Sequence, residues 1–148
     1  MKYQVGGIGK VILAHFEDGD AIISNLGDII RKENIRGCIF YLLGGITDGR
    51  IVVGPANDDV RPPEPTWREI VDSHETLAIG TVFWQNDEPR VHIHGTFGKF
   101  DSVRTGCLRD EAKTFLVLEA VIIELTGIKA IRDIDPVIHM ALLKLLDR

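Results

Sequence analysis

The segment RVHIHGTFGKFDSVRTGCL, residues 90–108, decides how the middle of the chain folds. It contains one strand-sized segment, Arg90–Phe97, and nearly all of a second, Arg104–Arg109. The polar turn residues between them are typical of a β-hairpin. Because alternate residues of a strand face the same side, His92 and His94 project together from the first strand.

The register of this hairpin decides whether a third ligand joins the two histidines. A loop of even length, centred between Phe100 and Asp101, places Cys107 opposite His94, and cross-strand neighbours share a face. A loop of odd length would shift the pairing by one residue and turn Cys107 to the other face. In the even register, two imidazoles and one thiol form a compact cluster.

This cluster predicts a metal site. Two imidazole nitrogens and one thiolate fit zinc, and zinc sites that keep one position open use three protein ligands. We therefore predict that His92, His94 and Cys107 bind zinc. The alternative is that H-x-H occurs by chance on a strand and that Cys107 is a small apolar side chain of the core.

The rest of the chain predicts one amphipathic helix among many strands. Apolar residues recur at helical spacing over roughly 20–34, with Asp18 or Asp20 as the expected N-cap and Asn34 near the stop signal. A short C-terminal helix is expected to open at Pro136. The remaining strand predictions are Val11–Phe16, Cys38–Leu43, Arg50–Val53, Trp67–Val71, Thr76–Trp84 and Phe115–Leu125.

One helix followed by a run of short strands indicates an α+β fold with a curved, mostly antiparallel sheet. The segment Pro55–Pro65 is too polar and too rich in proline to be core, and it predicts a long surface loop of the kind that is often functional. Neither half of the chain around this loop has a complete core. We therefore expect residues 1–148 to form a single domain.

Composition excludes several classes of protein. Lys+Arg 17 and Asp+Glu 22 give a formal net charge of −5, which disfavours a stand-alone nucleic-acid binder because phosphate neutralisation needs a basic surface. Cys38 and Cys107 lie far apart and do not suggest a disulfide framework. The sequence shows neither a signal pattern nor an apolar run of the ~18 residues that span a membrane, so we expect a cytoplasmic protein without a membrane partner.

Few other residues are candidates for acid–base chemistry. Glu119 lies in an otherwise apolar segment and is the candidate general base, the alternative being a solvated strand face. His15 and His74 are expected on polar or interface surfaces, and His139 on the surface of the C-terminal helix. No phosphate-binding loop and no Ser-His-Asp elbow motif is found. A small basic edge is a further prediction, from Lys99, Arg104, Arg109 and Lys113.

Several segments follow one another in a characteristic order, namely Gly9–Asp20, the amphipathic helix, Gly37–Thr47, Arg90–Gly98, Thr105–Leu108 and Val117–Leu125. Their order resembles the plants-and-prokaryotes-conserved (PPC) domain, over roughly Gly9 to Ile131. The most specific part is the H-x-H-x-x-x-G strand followed by the G-x-L strand of the same hairpin.

The resemblance implies an α+β fold with one principal helix, assembly as a homotrimer, and binding of zinc or another metal through His92 and His94. Similar proteins commonly have a histidine as third ligand where this chain has Cys107. Plant members bind A·T-rich DNA through a separate AT-hook, and prokaryotic members are stand-alone domains described as DNA-binding. This chain has no Arg-Gly-Arg core of an AT-hook.

Three functions follow as hypotheses. The first is a trimeric zinc-binding protein with a regulatory role and DNA or protein as partner. The second is a metal-dependent enzyme that acts on a small substrate in a pocket between subunits. The third is a structural module in which the metal cluster only braces the fold.

Overall fold

The computed structural model describes residues 1–147 and has a single helix within them. The elements are β1 (Gly7–Glu17), α1 (Ile22–Lys32), β2 (Gly37–Thr47), β3 (Arg50–Pro55), β4 (Pro65–Glu69), β5 (His74–Gln85), β6 (Glu88–Lys99), β7 (Ser102–Leu108), β8 (Lys113–Thr126), β9 (Ala130–Ile134) and β10 (Ala141–Leu145). Eight strands form one antiparallel sheet in the order β1-β8-β2-β5-β6-β7-β3-β4, and β9 and β10 form a separate hairpin. The predicted α+β architecture with one main helix and a mostly antiparallel sheet is confirmed. No helix of residues 1–147 has the length and apolar character needed to cross a membrane.

The helix α1 fixes which face of the sheet is the core. Ile22, Leu26 and Ile30 are at most 1% exposed, and their spacing places them on one stripe of the helix. Phe40 of β2 and Ile93 of β6 are equally buried and belong to the same core cluster. Because neighbouring residues of a strand point to opposite faces, the burial of Ile93 directs the residues on either side of it away from the core.

A residue distant in sequence caps the N-terminus of α1. Ala21, at the N-cap position, offers no capping side chain. The carboxylate of Glu111 accepts instead the backbone N–H of Ile23 at 2.6 Å and that of Ser24 at 2.9 Å. These are two of the N–H groups that a helix leaves without an internal partner. The segment that precedes β8 therefore holds the start of the helix.

The predicted capping by Asp18 or Asp20 is wrong. The carboxylate of Asp20 accepts the backbone N–H of Glu17 at 2.9 Å, and that of Asp18 accepts the backbone N–H of Leu116 at 2.7 Å. Asp20 closes the connection between β1 and α1 through a local bond, whereas Asp18 ties this connection to β8. Each carboxylate is thus engaged with backbone outside the helix, which removes it from capping.

We expect Glu111→Ala to lower the free energy of unfolding by about 1 kcal/mol, the usual cost of removing an N-cap side chain. Glu111→Gln keeps an acceptor oxygen and should lose less. The measurement is urea denaturation followed by circular dichroism, with Glu64→Ala as a control at an exposed loop position. Equal stability of Glu111→Ala and the control would contradict this account of the cap.

The predicted C-terminal helix is also wrong, because a tight turn forms there instead. The side-chain oxygen of Asp135 accepts the backbone N–H groups of Val137 and Ile138 at 2.8 and 3.0 Å. His139 adopts a positive φ of 54°, which reverses the chain into β10. A local bond from an aspartate side chain to the following backbone competes with helix formation. The tail therefore forms the hairpin of β9 and β10, and His139 lies in its turn.

The face of the large sheet on the side away from α1 exposes apolar side chains over its centre. We call these residues the outer apolar face, namely Leu13, Tyr41, Leu43, Leu77, Ile79 and Val121, which are between 37% and 75% exposed. Several of them are direct cross-strand neighbours in register. Continuous exposed apolar surface of this kind marks an interaction site.

Candidate metal centre

The hairpin of β6 and β7 has the register that the sequence predicts. Lys99 pairs with Ser102 around a two-residue turn, and His94 pairs with Cys107. Phe100, the first turn residue, has a φ of 52°, as tight hairpin turns require. The prediction of an even loop is confirmed, and Cys107 lies directly beside His94 on the face opposite Ile93.

Three possible ligand atoms converge on this face. One nitrogen each from His92 and His94 and the sulfur of Cys107 all lie within 4.8 Å of one another. The two imidazole rings meet edge to face, with centroids 4.9 Å apart. Ligand atoms on one tetrahedral zinc are about 3.4–3.6 Å apart, as follows from its bond lengths. Small side-chain rotations would close that difference, so the donor set fits a zinc ion.

The thiol of Cys107 lies in the interior, only 3% exposed. Its sulfur has one weak contact, to the carbonyl oxygen of Leu108 at 3.9 Å. Burial raises the pKa of this thiol, and the nearby charges of Arg109 and Arg132 act in the opposite direction. The metal-free protein therefore holds a protonated thiol, and metal binding would release that proton.

The imidazole of His92 is kept neutral. Burial is the main cause that lowers its pKa to about 4, and the positive charges of Arg132, His94 and Arg109 lower it further. At neutral pH the ring therefore carries no charge. A neutral imidazole is the form that binds a metal ion.

Arg132, from β9, reaches the cluster from the side of the small hairpin. It is 7% exposed, and its Nη2 donates to Thr81 Oγ1 at 2.9 Å and to His92 Nδ1 at 3.2 Å. A guanidinium has only donors, so His92 Nδ1 accepts and the ring proton of the metal-free state lies on Nε2. A metal on either ring nitrogen of His92 would therefore break this hydrogen bond, and Arg132 would keep only its bond to Thr81 Oγ1 among these two.

A cavity of about 1020 Å³ opens beside the cluster. The loop predicted to be functional lies along it, together with β3, Trp67 and the turn before β10. His139, expected on a helix surface, lines this cavity instead. The residues that line this cavity include Val52, Val53, Asp58, Arg61, Pro62, Pro63, Trp67, His92, His94, Cys107, Arg109, His139 and Met140.

The other predicted site residues lie apart from the cluster. Glu119 is exposed on β8, which β2 and β5 separate from β6, so it is not a general base for this cluster within the chain. His15 is exposed directly opposite Glu119, and His74 Nδ1 lies 2.7 Å from the carbonyl oxygen of Asp72. The solvated-face alternative for Glu119 thus fits its place in the fold.

The predicted basic edge separates into individual contacts. Lys99 pairs with Asp72 at 3.2 Å, and Lys113 pairs with Asp48 at 3.7 Å. Arg104 donates to a backbone carbonyl at 3.2 Å. Arg109 differs from these residues because it lines the cavity.

The sequence pattern does not reveal that Arg132 and Trp67 belong to this site. Arg132 lies in a segment whose pattern gave no strand prediction, and 40 residues separate it from His92. Trp67 was predicted on a strand, but only its position next to the proline-rich loop could have pointed to a cavity wall. In both cases the contact depends on how separate elements pack.

Comparison with known proteins finds a family model that matches the chain and solved structures that share its fold. The model of the Plants and Prokaryotes Conserved (PCC) domain matches residues 3–126. A metal-containing protein of Archaeoglobus fulgidus has 21% identity and a TM-score of 0.83, with 99% of this chain and 100% of that chain covered. A PPC protein of Pyrococcus horikoshii has 24% identity and a TM-score of 0.82, with both chains fully covered.

A third solved structure, described as a candidate DNA-binding protein of Ralstonia eutropha, has 21% identity and a TM-score of 0.69. It covers 90% of each chain. A search among curated proteins gives no match. At these identities the solved structures establish the fold that the chain shares with them.

Proposed function

The chain belongs to the Plants and Prokaryotes Conserved (PCC) domain family, and from this premise we propose that it is a single-domain protein that binds zinc through His92, His94 and Cys107. The observation that carries the proposal is the convergence of their three ligand atoms within 4.8 Å of one another. The name of the Archaeoglobus fulgidus relative, a metal-containing protein, supports it. The test is the metal content of protein purified without added metal.

The choice of zinc rests on the chemistry of the donors. Neutral imidazole and thiolate together suit zinc better than the hard, oxygen-seeking cations. Two unpaired cysteines, Cys38 and Cys107, are typical of a reducing compartment, where a thiolate also stays available as a ligand. We therefore propose the cytoplasm as the location.

An accessible metal favours small-molecule chemistry over a structural brace. Structural zinc sites use four protein ligands, whereas sites with three leave one position open. Here the three candidate ligands line a cavity of about 1020 Å³, which is large enough for a small substrate. A zinc ion bound there would supply Lewis acidity at the cavity wall. A metal-dependent enzyme is therefore the second candidate function.

We propose further that the chain assembles as a homotrimer through the outer apolar face. Six large apolar side chains on this face are exposed in the single chain. Most soluble oligomers close by symmetric contacts between identical surfaces or around a ring. A second and third copy of the same chain would cover these side chains.

A DNA partner, suggested by the name of the Ralstonia eutropha relative, has less support in the charges of this chain. The formal net charge is −5, and the centre of the outer face is apolar rather than basic. We expect no retention of an A·T-rich duplex at about 50 mM salt, since phosphate contacts are strongest at low salt. Fluorescence anisotropy of a labelled duplex measures this. Binding that weakens steeply as salt rises would restore the DNA-binding role.

A further inference from the structure

We propose that the cavity beside the metal cluster binds a small organic carboxylate with an apolar body. This deepens the proposed function, because the cavity is the one that the candidate metal ligands line. The inference rests on two features that do not need a metal. They are an excess of uncompensated positive charge at the cavity and a wall of apolar side chains.

The cavity carries positive charge, although the protein as a whole is negatively charged. The chain carries −5 overall, yet Arg61 and Arg109 line the cavity with Asp58 as the one acidic group among its lining residues. Arg61 donates to the carbonyl oxygens of Asp58 and Val60 at 2.6 and 2.8 Å, and these neutral groups leave its charge uncompensated. Arg109 forms no ion pair within residues 1–147.

A third positive charge lies directly behind the cavity wall. Arg132 is only 7% exposed, and it contacts His92, which lines the cavity. Within the described residues it has no carboxylate partner, and its Nε is buried without any hydrogen bond. A buried charge without a partner is costly, so an anion bound nearby would be strongly favoured.

The apolar side chains that line the cavity favour an apolar body on that anion. Trp67 is 38% exposed, and the guanidinium of Arg50 stacks on its ring at 4.6 Å, which holds the indole in place. Val52, Pro62 and Met140 line the same cavity. A free inorganic anion would leave these side chains facing water. A carboxylate with an attached ring or short chain would cover them while its charge faces Arg109.

Benzoate and its neutral isostere benzamide provide the test. We expect benzoate to bind both zinc-loaded and chelator-treated protein by isothermal titration calorimetry, and benzamide to bind at least about tenfold more weakly. Arg109→Gln should weaken the binding of benzoate by about tenfold, because the hydrogen-bonded ion pair between the carboxylate and Arg109 is lost. Arg36→Gln is the matched control, because Arg36 is an exposed arginine that stacks on Trp84 and does not line the cavity.

Three results would overturn the inference. They are equal binding of benzoate and benzamide, unchanged benzoate binding by Arg109→Gln, and inorganic phosphate binding as tightly as benzoate. If benzoate does not bind while the protein retains zinc, the carboxylate site alone is rejected. Absence of zinc together with Arg109-dependent benzoate binding would reject the metal site alone.

Discussion

His94→Ala should retain less than about one tenth of the zinc that the wild type carries after purification without added metal. The wild type should contain about one zinc ion per chain, measured by elemental mass spectrometry. Loss of even an outer hydrogen-bond partner of a zinc ligand typically weakens binding by about 10–100-fold, and loss of one of three direct ligands should weaken it more. Cys107→Ser and His92→Ala should show the same loss.

His139→Ala is the matched control, because His139 lines the same cavity without belonging to the cluster of three ligand atoms. It should retain the metal. Circular dichroism establishes that each variant is folded. Equal zinc in His94→Ala, Cys107→Ser and the wild type would reject the site. Zinc lost only in the histidine variants would leave a site of two imidazoles and remove the thiolate from it.

The part of the site that the sequence predicts correctly is the part set by local geometry. Alternation along one strand puts His92 and His94 on one face, and a two-residue turn fixes Cys107 opposite His94. Both rules act over fewer than twenty residues and depend on the backbone alone. They therefore hold without any knowledge of the remaining strands.

The elements that the sequence misses depend on distant partners. Glu111 caps α1 through the backbone N–H groups of Ile23 and Ser24, which lie 88 and 87 residues earlier in the chain, and no local pattern marks it as a cap. The tail has apolar residues at helical spacing, but Asp135 bonds the following backbone and turns the chain into a hairpin. That hairpin carries Arg132, so the error about the tail also concealed the arginine beside His92.

Leu43→Glu should convert the proposed trimer to a monomer at micromolar concentration. Leu43 is 56% exposed at the centre of the outer apolar face, where it pairs with Leu77. Burying a leucine contributes about 1.5–3 kcal/mol, and burying an unpaired carboxylate costs several kcal/mol more. Each of the three copies would carry the change. Light scattering should give three times 16.5 kDa for the wild type and 16.5 kDa for the variant.

The fold of one chain should survive this substitution, because the Leu43 side chain is on the face away from α1 and contributes little to the core. Val71→Glu is the matched control, since Val71 is 68% exposed and lies outside the outer apolar face. It should remain trimeric. A monomeric wild type would reject the assembly, and a trimeric Leu43→Glu would show that the interface lies on another surface.

Because Ile79 of this face pairs directly with His94, a trimer formed here would bring a second copy close to the metal cluster. Loss of the trimer should therefore also change access to the cavity.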